Sequence, residues 1–269
     1  MGGGTGGYEK RGWFPSSDGL GLGFGFFGLK RTGTVRMALR ERFGEYESRG
    51  DYHRRLDANW SYAPIYRRKI ALVDEFVARL PKKARVLDVG AGEGVLVDRY
   101  RAHGCNITGV DAHYRSAHVE KASLASLPFE DGAFDAVLCL DVLEHLNLLD
   151  QAPALRQLRR ILTDDGALLL SVPNLAHLHS RVRFMLAGVL SRTSALERHP
   201  GDRPVAEYLE LLSQAGFRVV RRRGIFPTAP LVYRLVNRHP ARWGWMVSVL
   251  GWVLPFPGLC FLNVVEARC

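Results

Sequence analysis

The stretch Arg85-Val-Leu-Asp-Val-Gly-Ala-Gly-Glu-Gly94 decides the fold of this chain. Its apolar part, Val86 to Val89, predicts a short buried strand that ends at a glycine-rich turn, and residues 93 or 94 to 102 predict a helix. Glycine lacks the Cβ atom that would hold a ligand away from the backbone. A helix N-terminus presents unpaired N–H groups to an anionic or polar ligand. This strand–turn–helix unit is therefore predicted to bind a ligand.

Strands and helices alternate downstream of this turn. Further strands are predicted at 106–111, 122–124 (a weak one), 134–140, 167–172, 217–220 and 260–267. Helices are predicted at 64–80, 149–162, 175–190 and 204–214, with one or two more over 229–254. Such alternation predicts a doubly wound parallel sheet, whose ligands bind at the carboxyl ends of the strands.

Composition narrows the class of protein. The chain has 269 residues, 47% of them hydrophobic, which is enough for one large α/β domain with additions. Its four cysteines form no Cys-x-x-Cys pair, so we expect a reduced, cytoplasmic protein without a zinc site or disulfide framework. The formal charge of +10 fits a basic surface, an anionic substrate or an anionic membrane. Nucleic acid is not expected, because no RNA-binding or helix-turn-helix signature accompanies the charge.

The ends of the chain are predicted to differ from its centre. Residues 1–36 are rich in glycine and are expected to be a disordered leader, with Met37 as an alternative true start. Residues 37–82 are expected to form a helical cap, 83–225 a ligand-binding core, and 226–269 helices and a last strand of the same domain. We expect neither a signal peptide nor a transmembrane helix, since no apolar run reaches the roughly 18 to 20 residues required.

The glycine turn alone does not identify its ligand. A dinucleotide site usually has Gly-x-Gly-x-x-Gly/Ala, whereas here the third glycine, Gly94, comes one residue early. Asp111 ends the second predicted strand, 19 residues beyond Gly92, where an acid can accept hydrogen bonds from both ribose hydroxyls. The alternative for Asp111 is a helix or turn cap.

Three further motifs follow in order. They are Leu127-Pro-Phe-Glu-Asp-Gly-Ala-Phe-Asp135, Asp141-Val-Leu-Glu-His-Leu146, and the segment from Leu158 through Asp165-Gly-Ala167 to Pro173-Asn174. With the glycine turn, they resemble a class I S-adenosylmethionine-dependent methyltransferase of the group that contains the ubiquinone and menaquinone biosynthesis enzymes. The resemblance covers about residues 62–225. It implies a Rossmann-like, mostly parallel seven-stranded sheet with an antiparallel C-terminal strand.

The resemblance implies S-adenosyl-L-methionine as cofactor and assigns roles by position. The glycine turn passes under the methionine part, supported by Asp88, and Asp111 binds the ribose. Many relatives have Asp where this chain has Ser123, which changes the expected contact with the adenine amino group. The implied cofactor-binding residues are Asp88, Gly90, Ala91, Gly92, Asp111, Ala112, Ser123, Leu124, Leu140 and Asp141.

His145 is the candidate catalytic residue. It follows the fourth predicted strand, and an imidazole can remove the proton of a hydroxyl acceptor near neutral pH. The alternative is that Glu144-His145 caps and orients the next helix. A divalent-metal site formed by Asp141, Glu144 and His145 is a weaker alternative, and no metal ligand is assigned.

The methyl acceptor is expected to be a small molecule, quinone-like compound, lipid or saccharide, methylated on oxygen, with N- and C-methylation left open. A non-catalytic cofactor-binding scaffold is the alternative function. Aromatic residues at 52–62 are candidates for a lid, with simple packing as the alternative. A basic set is a candidate for binding an anionic substrate, with a solvated helix face as the alternative for its first two members: Arg181, Arg183, Arg192, His199 and Arg203. Residues 233–261 combine arginines and tryptophans with an apolar run, which fits either a peripheral membrane contact or a packing helix.

Overall fold

A computed structural model describes residues 53–269. The predictions for residues 1–36, for Met37 and for Tyr52 lie outside the described residues. The helices are α1 (Ala63–Ala78), α2 (Val95–Ala102), α3 (Gln151–Ile161), α4 (Leu178–Ala187), α5 (Val205–Gln214), α6 (Pro230–Arg238), α7 (Pro240–Trp243) and α8 (Met246–Val253). The strands are β1 (Val86–Val89), β2 (Ile107–Asp111), β3 (Val119–Lys121), β4 (Phe134–Leu140), β5 (Leu162–Pro173), β6 (Arg218–Pro227) and β7 (Cys260–Arg268).

The described strands form one seven-stranded sheet in the order β3-β2-β1-β4-β5-β7-β6. Neighbours from β3 to β5 pair in parallel, and β7 pairs antiparallel with both β5 and β6. This confirms the predicted Rossmann-like, mostly parallel sheet with an antiparallel C-terminal strand. The strand order changes direction beside β1 and β4, which is where such sheets bind ligands at their carboxyl edge.

The helices cover both faces of the sheet. Side chains alternate between the faces along each strand, so Leu87 and Val89 join one buried cluster while Val86 joins the other. The first cluster takes apolar residues from α3 and α5, and the second takes them from α1, α2, α6 and α8. The turn after β1 therefore lies between two layers of packed helices. The carboxyl edge of the sheet, which these helices do not fill with apolar side chains, carries polar groups.

Several predicted boundaries are wrong. The third strand lies at Val119–Lys121 instead of 122–124, because residues 123–126 form a tight turn in which Ser126 N–H donates to the Ser123 carbonyl at 3.0 Å. The fifth strand starts at Leu162 instead of residue 167. A turn was expected at Asp164–Gly166, but the structure has only an irregularity there in the pairing of β5 with β4.

The C-terminal part differs most from its sequence pattern. The sixth strand is ten residues long because its antiparallel pairing with β7 extends through the arginine-rich segment 221–223. Such charged residues are common on an edge strand, where they discourage pairing with other chains. The helical stretch 229–254 divides into three short helices around Pro240 and Gly244. Within residues 53–269, none of these helices is long and apolar enough to cross a membrane.

Candidate cofactor site

The turn after β1 has a backbone that glycine alone adopts easily. Gly90 has φ 74° and Gly92 has φ 57°, both in the left-handed region. A Cβ atom on Gly90 would overlap with Cγ2 of Val142. The N–H groups of Gly90 and Ala91 both donate to the Val110 carbonyl, at 2.9 and 3.1 Å, so β2 holds the turn in place. The result is a bare, fixed backbone surface at the carboxyl edge.

Asp111 ends β2 directly beside this turn. Its Oδ2 accepts a hydrogen bond from Gly92 N–H at 2.9 Å, and its Oδ1 accepts from His113 N–H at 2.8 Å and Tyr114 N–H at 3.1 Å. The turn-capping role that the sequence left as an alternative is therefore present. Oδ1 thus uses both of its lone pairs, whereas Oδ2 keeps one, so capping the loop is compatible with accepting one ribose hydroxyl.

Asp88 is a buried acid under the turn. It lies on β1 in the middle of the sheet and is 3% exposed. Burial raises the pKa of Asp88 to about 7; the positive charge of Lys69 opposes this rise, and the charge of Asp111 adds to it. A buried carboxyl group beside the turn fits a site that receives a cationic group of a ligand.

Asp141 follows β4 in an unusual conformation. Its φ of 55° is in the left-handed region, which Asp tolerates better than most residues. Its Oδ2 accepts from Lys69 Nζ at 2.5 Å and from Tyr62 Oη at 2.8 Å, and Ser171 Oγ donates to its Oδ1. Burial raises the pKa of Asp141, but the Lys69 charge and these three hydrogen bonds hold it below its ordinary value.

Lys69 and Ser171 were missed by reasoning from the sequence, and Tyr62, a lid candidate, was not expected to bind Asp141. Lys69 is 4% exposed and lies on the apolar face of α1, between the rings of Tyr62 and Tyr66. A signal was available, because Lys69 occupies the same helical face as Tyr66, Ile70 and Val73. A lysine there either reaches out to solvent or pairs with a buried acid.

The remaining cofactor residues surround the same edge. Leu140 ends β4, and Ala112 follows Asp111 as an exposed residue. Ala122 N–H donates to the Asp111 carbonyl at 2.9 Å, which keeps the Ser123–Leu124 turn beside β2 although it is not a strand. Ser123 is exposed and Leu124 is buried. All ten predicted cofactor residues therefore lie at or beside the carboxyl ends of β1, β2, β3 and β4.

Glu144 and His145 form a short 3₁₀ turn after β4. Glu144 is 2% exposed, and burial together with the charge of Asp141 raises the pKa of Glu144 well above its ordinary value. His145 is exposed, and its Nδ1 lies 2.9 Å from the Arg198 carbonyl oxygen, which requires Nδ1 to carry the proton. His199 packs edge-on against His145 with ring centroids 4.8 Å apart.

The described residues do not assemble the metal set weighed from the sequence. The Asp141 carboxylate instead accepts hydrogen bonds from Lys69, Tyr62 and Ser171. The carboxylate and imidazole groups that do approach one another, with ligand atoms within 4.8 Å, belong to Glu144, His145 and His199.

Several residues that were predicted to contact the substrate form hydrogen bonds within the protein instead. Arg203 donates to Gln151 Oε1 at 2.7 Å and to Glu207 Oε2 at 3.0 Å, which ties the loop before α5 to α3. Arg183 donates to Ser191 Oγ at 3.2 Å, and Arg181 donates to the Ala176 carbonyl at 2.6 Å. Arg192 is exposed. The basic set is therefore divided between helix α4 and the loop that follows it.

A model of the methyltransferase domain family matches residues 59–222, which is more than half of the chain. The chain belongs to this methyltransferase family. The match contains the glycine turn, Asp111 and the segment after β4, and the sheet order places the chain in class I. The cofactor of this class is S-adenosyl-L-methionine, and the bare glycine turn, Asp111 and the buried Asp88 fit such a group.

Curated relatives agree with this assignment. A probable S-adenosylmethionine-dependent methyltransferase of Mycolicibacterium smegmatis is 33% identical over 165 residues, covering 57% of this chain and 59% of the relative. A ubiquinone biosynthesis O-methyltransferase of Ralstonia nicotianae is 26% identical over 220 residues, covering 73% of this chain and 89% of the relative. The chain thus spans only 51% to 59% of the length of the mycobacterial relatives it matches.

A solved structure shares the fold over most of its length. The 1,6-didemethyltoxoflavin-N1-methyltransferase of Burkholderia thailandensis, solved with bound S-adenosylhomocysteine, superposes with a TM-score of 0.52 at 20% identity. The superposition covers 90% of this chain and 91% of that one. At this identity the likeness concerns the fold alone.

Proposed function

We propose that this protein transfers a methyl group from S-adenosyl-L-methionine to an oxygen of a small-molecule, quinone-like, lipid or saccharide acceptor. The observation that carries the proposal is the turn after β1, in which two left-handed glycines and the Asp111 carboxylate form one hydrogen-bonded unit. When bound there, the cofactor supplies an electrophilic methyl group on its sulfonium. The chain's own task is to bind, orient and exclude water.

Each part of the carboxyl edge is proposed to hold one part of the cofactor. Gly90, Ala91 and Gly92 lie against the methionine portion. Asp111 accepts a hydrogen bond from a ribose hydroxyl through the remaining lone pair of Oδ2, and Ala112 lies beside the adenine. Ser123 and Leu124 contact the adenine at the turn after β3. Leu140 and Asp141 line the methionine side, and Asp88 supports the turn from below.

His145 is proposed as the general base. Its Nδ1–H donates to the Arg198 carbonyl oxygen, so the neutral ring has its basic lone pair on Nε2. Nε2 would take the proton of the acceptor hydroxyl and become a protonated imidazole, while the bound cofactor would supply the methyl group to the acceptor oxygen. The name of the Ralstonia relative supports O-methylation.

Radiolabelled methyl transfer onto fractionated cell extract, with lipid and water-soluble products separated, tests the proposal. Wild type is expected to label one fraction, and His145→Gln is expected to lower the rate at least about 100-fold with unchanged cofactor affinity. A variant that keeps the full rate and the wild-type pH profile would show that His145 only caps the next helix.

We also propose that residues 233–261 make a peripheral membrane contact. The support is the pattern of arginines and tryptophans beside an apolar run. Liposome sedimentation of the full-length protein tests this contact, and no binding to any vesicle would remove it.

A further inference from the structure

Exposed apolar side chains concentrate on two segments outside the cofactor site. We name residues 178–190 the first arm and residues 230–256 the second arm. On the first arm, Met185 is 83% and Leu186 is 82% exposed, and on the second arm Leu231 is 72% and Trp252 is 84% exposed. Further exposed apolar residues of the arms are Phe184, Val189, Leu190, Trp245, Val249, Val253 and Phe256. Clustered apolar exposure of this kind marks an interaction surface.

The two arms are neighbours in the fold although about 40 residues separate them in sequence. Helix α4 packs against α6, and α6 packs against α8. The ring of His179 on the first arm stacks on Tyr233 of the second, with centroids 4.6 Å apart. The two arms thus lie side by side, which the sequence pattern of the second arm alone did not reveal.

The charge around these apolar residues has one sign. Residues 175–196 and 228–265 contain no Asp or Glu, although the chain carries 27 acidic residues. Six arginines in these segments are exposed: Arg181, Arg183, Arg192, Arg234, Arg238 and Arg242. Arginine beside tryptophan and aliphatic side chains is the composition of helices that lie in the headgroup region of an anionic bilayer.

We propose that the two arms together form one docking surface for an anionic lipid membrane. This proposal rests on the membrane contact proposed for residues 233–261 and extends it to the first arm and to the charge of the lipid. The apolar side chains insert among the acyl chains, while the arginines remain at the level of the phosphates.

A second copy of the chain fits this surface less well than a membrane does. Two copies that met through it would place six arginines against six others without an acidic partner, and like charges across an interface oppose association.

The arms start at the edge of the sheet that carries the cofactor site. Asn174, just after β5, donates its backbone N–H to the Phe261 carbonyl at 2.8 Å, and its Nδ2 donates to the Gly258 and Cys260 carbonyls at 3.0 Å. The first arm leaves this junction and the second arm returns to it. Docking therefore brings the carboxyl edge close to the lipid, which favours a lipid-phase methyl acceptor over a water-soluble one.

Sedimentation of the full chain with vesicles tests the proposal. Phosphatidylcholine vesicles are compared with vesicles that also contain phosphatidylglycerol. We expect at least about tenfold tighter binding to the anionic vesicles, weakening as salt is raised. Met185→Ser/Leu186→Ser and Trp252→Ser are each expected to weaken binding about tenfold, and Arg234→Gln/Arg238→Gln to weaken binding to anionic vesicles only.

Matched controls carry equivalent changes elsewhere. Leu149→Ser removes an apolar side chain that is 89% exposed, and Arg156→Gln removes an exposed arginine of α3; neither is expected to change binding. Equal binding to both vesicle types overturns the anionic preference, and unchanged binding of Met185→Ser/Leu186→Ser overturns the role of the first arm. Calorimetry with S-adenosylhomocysteine on the same samples distinguishes a failure of the membrane proposal from a failure of the methyltransferase proposal. A salt-resistant dimer by sedimentation velocity would favour a second copy and contradict the membrane.

Discussion

The carboxyl edge of β1, β2 and β4 and the two arms behave as opposites within one fold. At the edge, polar groups are buried and paired, as in the contact of Lys69 with Asp141 and of Asp111 with Gly92. On the arms, apolar groups are exposed, and the charges around them have one sign. The fixed geometry of the edge suits a ligand of defined shape, whereas the arms offer a surface without specific geometry.

This difference predicts how each region responds to substitution. Changes at the edge are expected to alter stability, cofactor affinity or both, because the groups there are part of the core or line the proposed cofactor site. Changes on the arms leave both quantities intact and alter only docking. Four substitutions at the edge measure how far this separation holds.

The largest expected effect is a pH dependence caused by Asp88. Its pKa rises from 3.8, the ordinary value of an aspartate in water, to about 7 in the folded protein, so between about pH 4 and 7 the folded protein keeps a proton that the unfolded chain has lost. Stability therefore falls as the pH rises through this window, by up to about 4 kcal/mol. Urea unfolding from pH 4.5 to 8 should show this loss in wild type and not in Asp88→Asn. Other groups such as His177 titrate in both proteins, so the difference between the two curves isolates Asp88.

The buried ion pair gives the next effect. Lys69→Met leaves the Asp141 carboxylate buried without its cation, which is expected to destabilise the fold by about 3 kcal/mol. The matched control is Arg99→Gln, which breaks the pair with Asp74 that is 45% and 40% exposed at the side chains and should cost less than about 1 kcal/mol. Equal losses in thermal or urea unfolding would mean that the Lys69 pair is no more important than a surface contact.

Gly90→Ala tests the turn itself. The added Cβ meets Val142 and requires a left-handed backbone, so we expect cofactor affinity to fall about 100-fold, or about 2.7 kcal/mol. Gly132→Ala is the control, because Gly132 has φ 66° but open space around its Cβ position. It should cost only about 1 to 2 kcal/mol of stability and leave affinity unchanged. If both variants bind the cofactor equally well, the turn is not part of the site.

The smallest effect concerns the adenine contact. Ser123→Asp places a carboxylate where many relatives have one, and is expected to tighten cofactor binding about fivefold, or about 1 kcal/mol. Ser123 is exposed, so the fold should tolerate the change. Ser126→Asp adds the same charge three residues away and should have no effect. A similar gain from both variants would indicate a general electrostatic attraction.

The sequence was most informative where local rules determine the structure. Strands β1 and β4 have the predicted bounds. Each is an apolar run beside a glycine turn or a turn motif, and this pattern allows few other positions for the ends of the strand. The predicted position of the third strand was wrong. The strand is so short that its pairing with β2, and not its own sequence pattern, determines where it lies. The extent of β6 depends on pairing with β7, which no local pattern of arginines reveals.

The site was predictable only in part. Asp111 and the glycines are marked by their spacing, and the structure places them together. Lys69 and Ser171 contact Asp141 from α1 and β5, across 72 and 30 residues, so their partnership needed the three-dimensional fold. The joint surface of the arms depends likewise on the packing of α4 against α6.

Isothermal titration calorimetry of the full chain with S-adenosyl-L-methionine and with S-adenosylhomocysteine tests the central claim most directly. The structure predicts saturable binding of one molecule per chain to both ligands, abolished or strongly weakened in Gly90→Ala and retained in Gly132→Ala and in Met185→Ser/Leu186→Ser. A folded wild-type protein that binds neither ligand would contradict it.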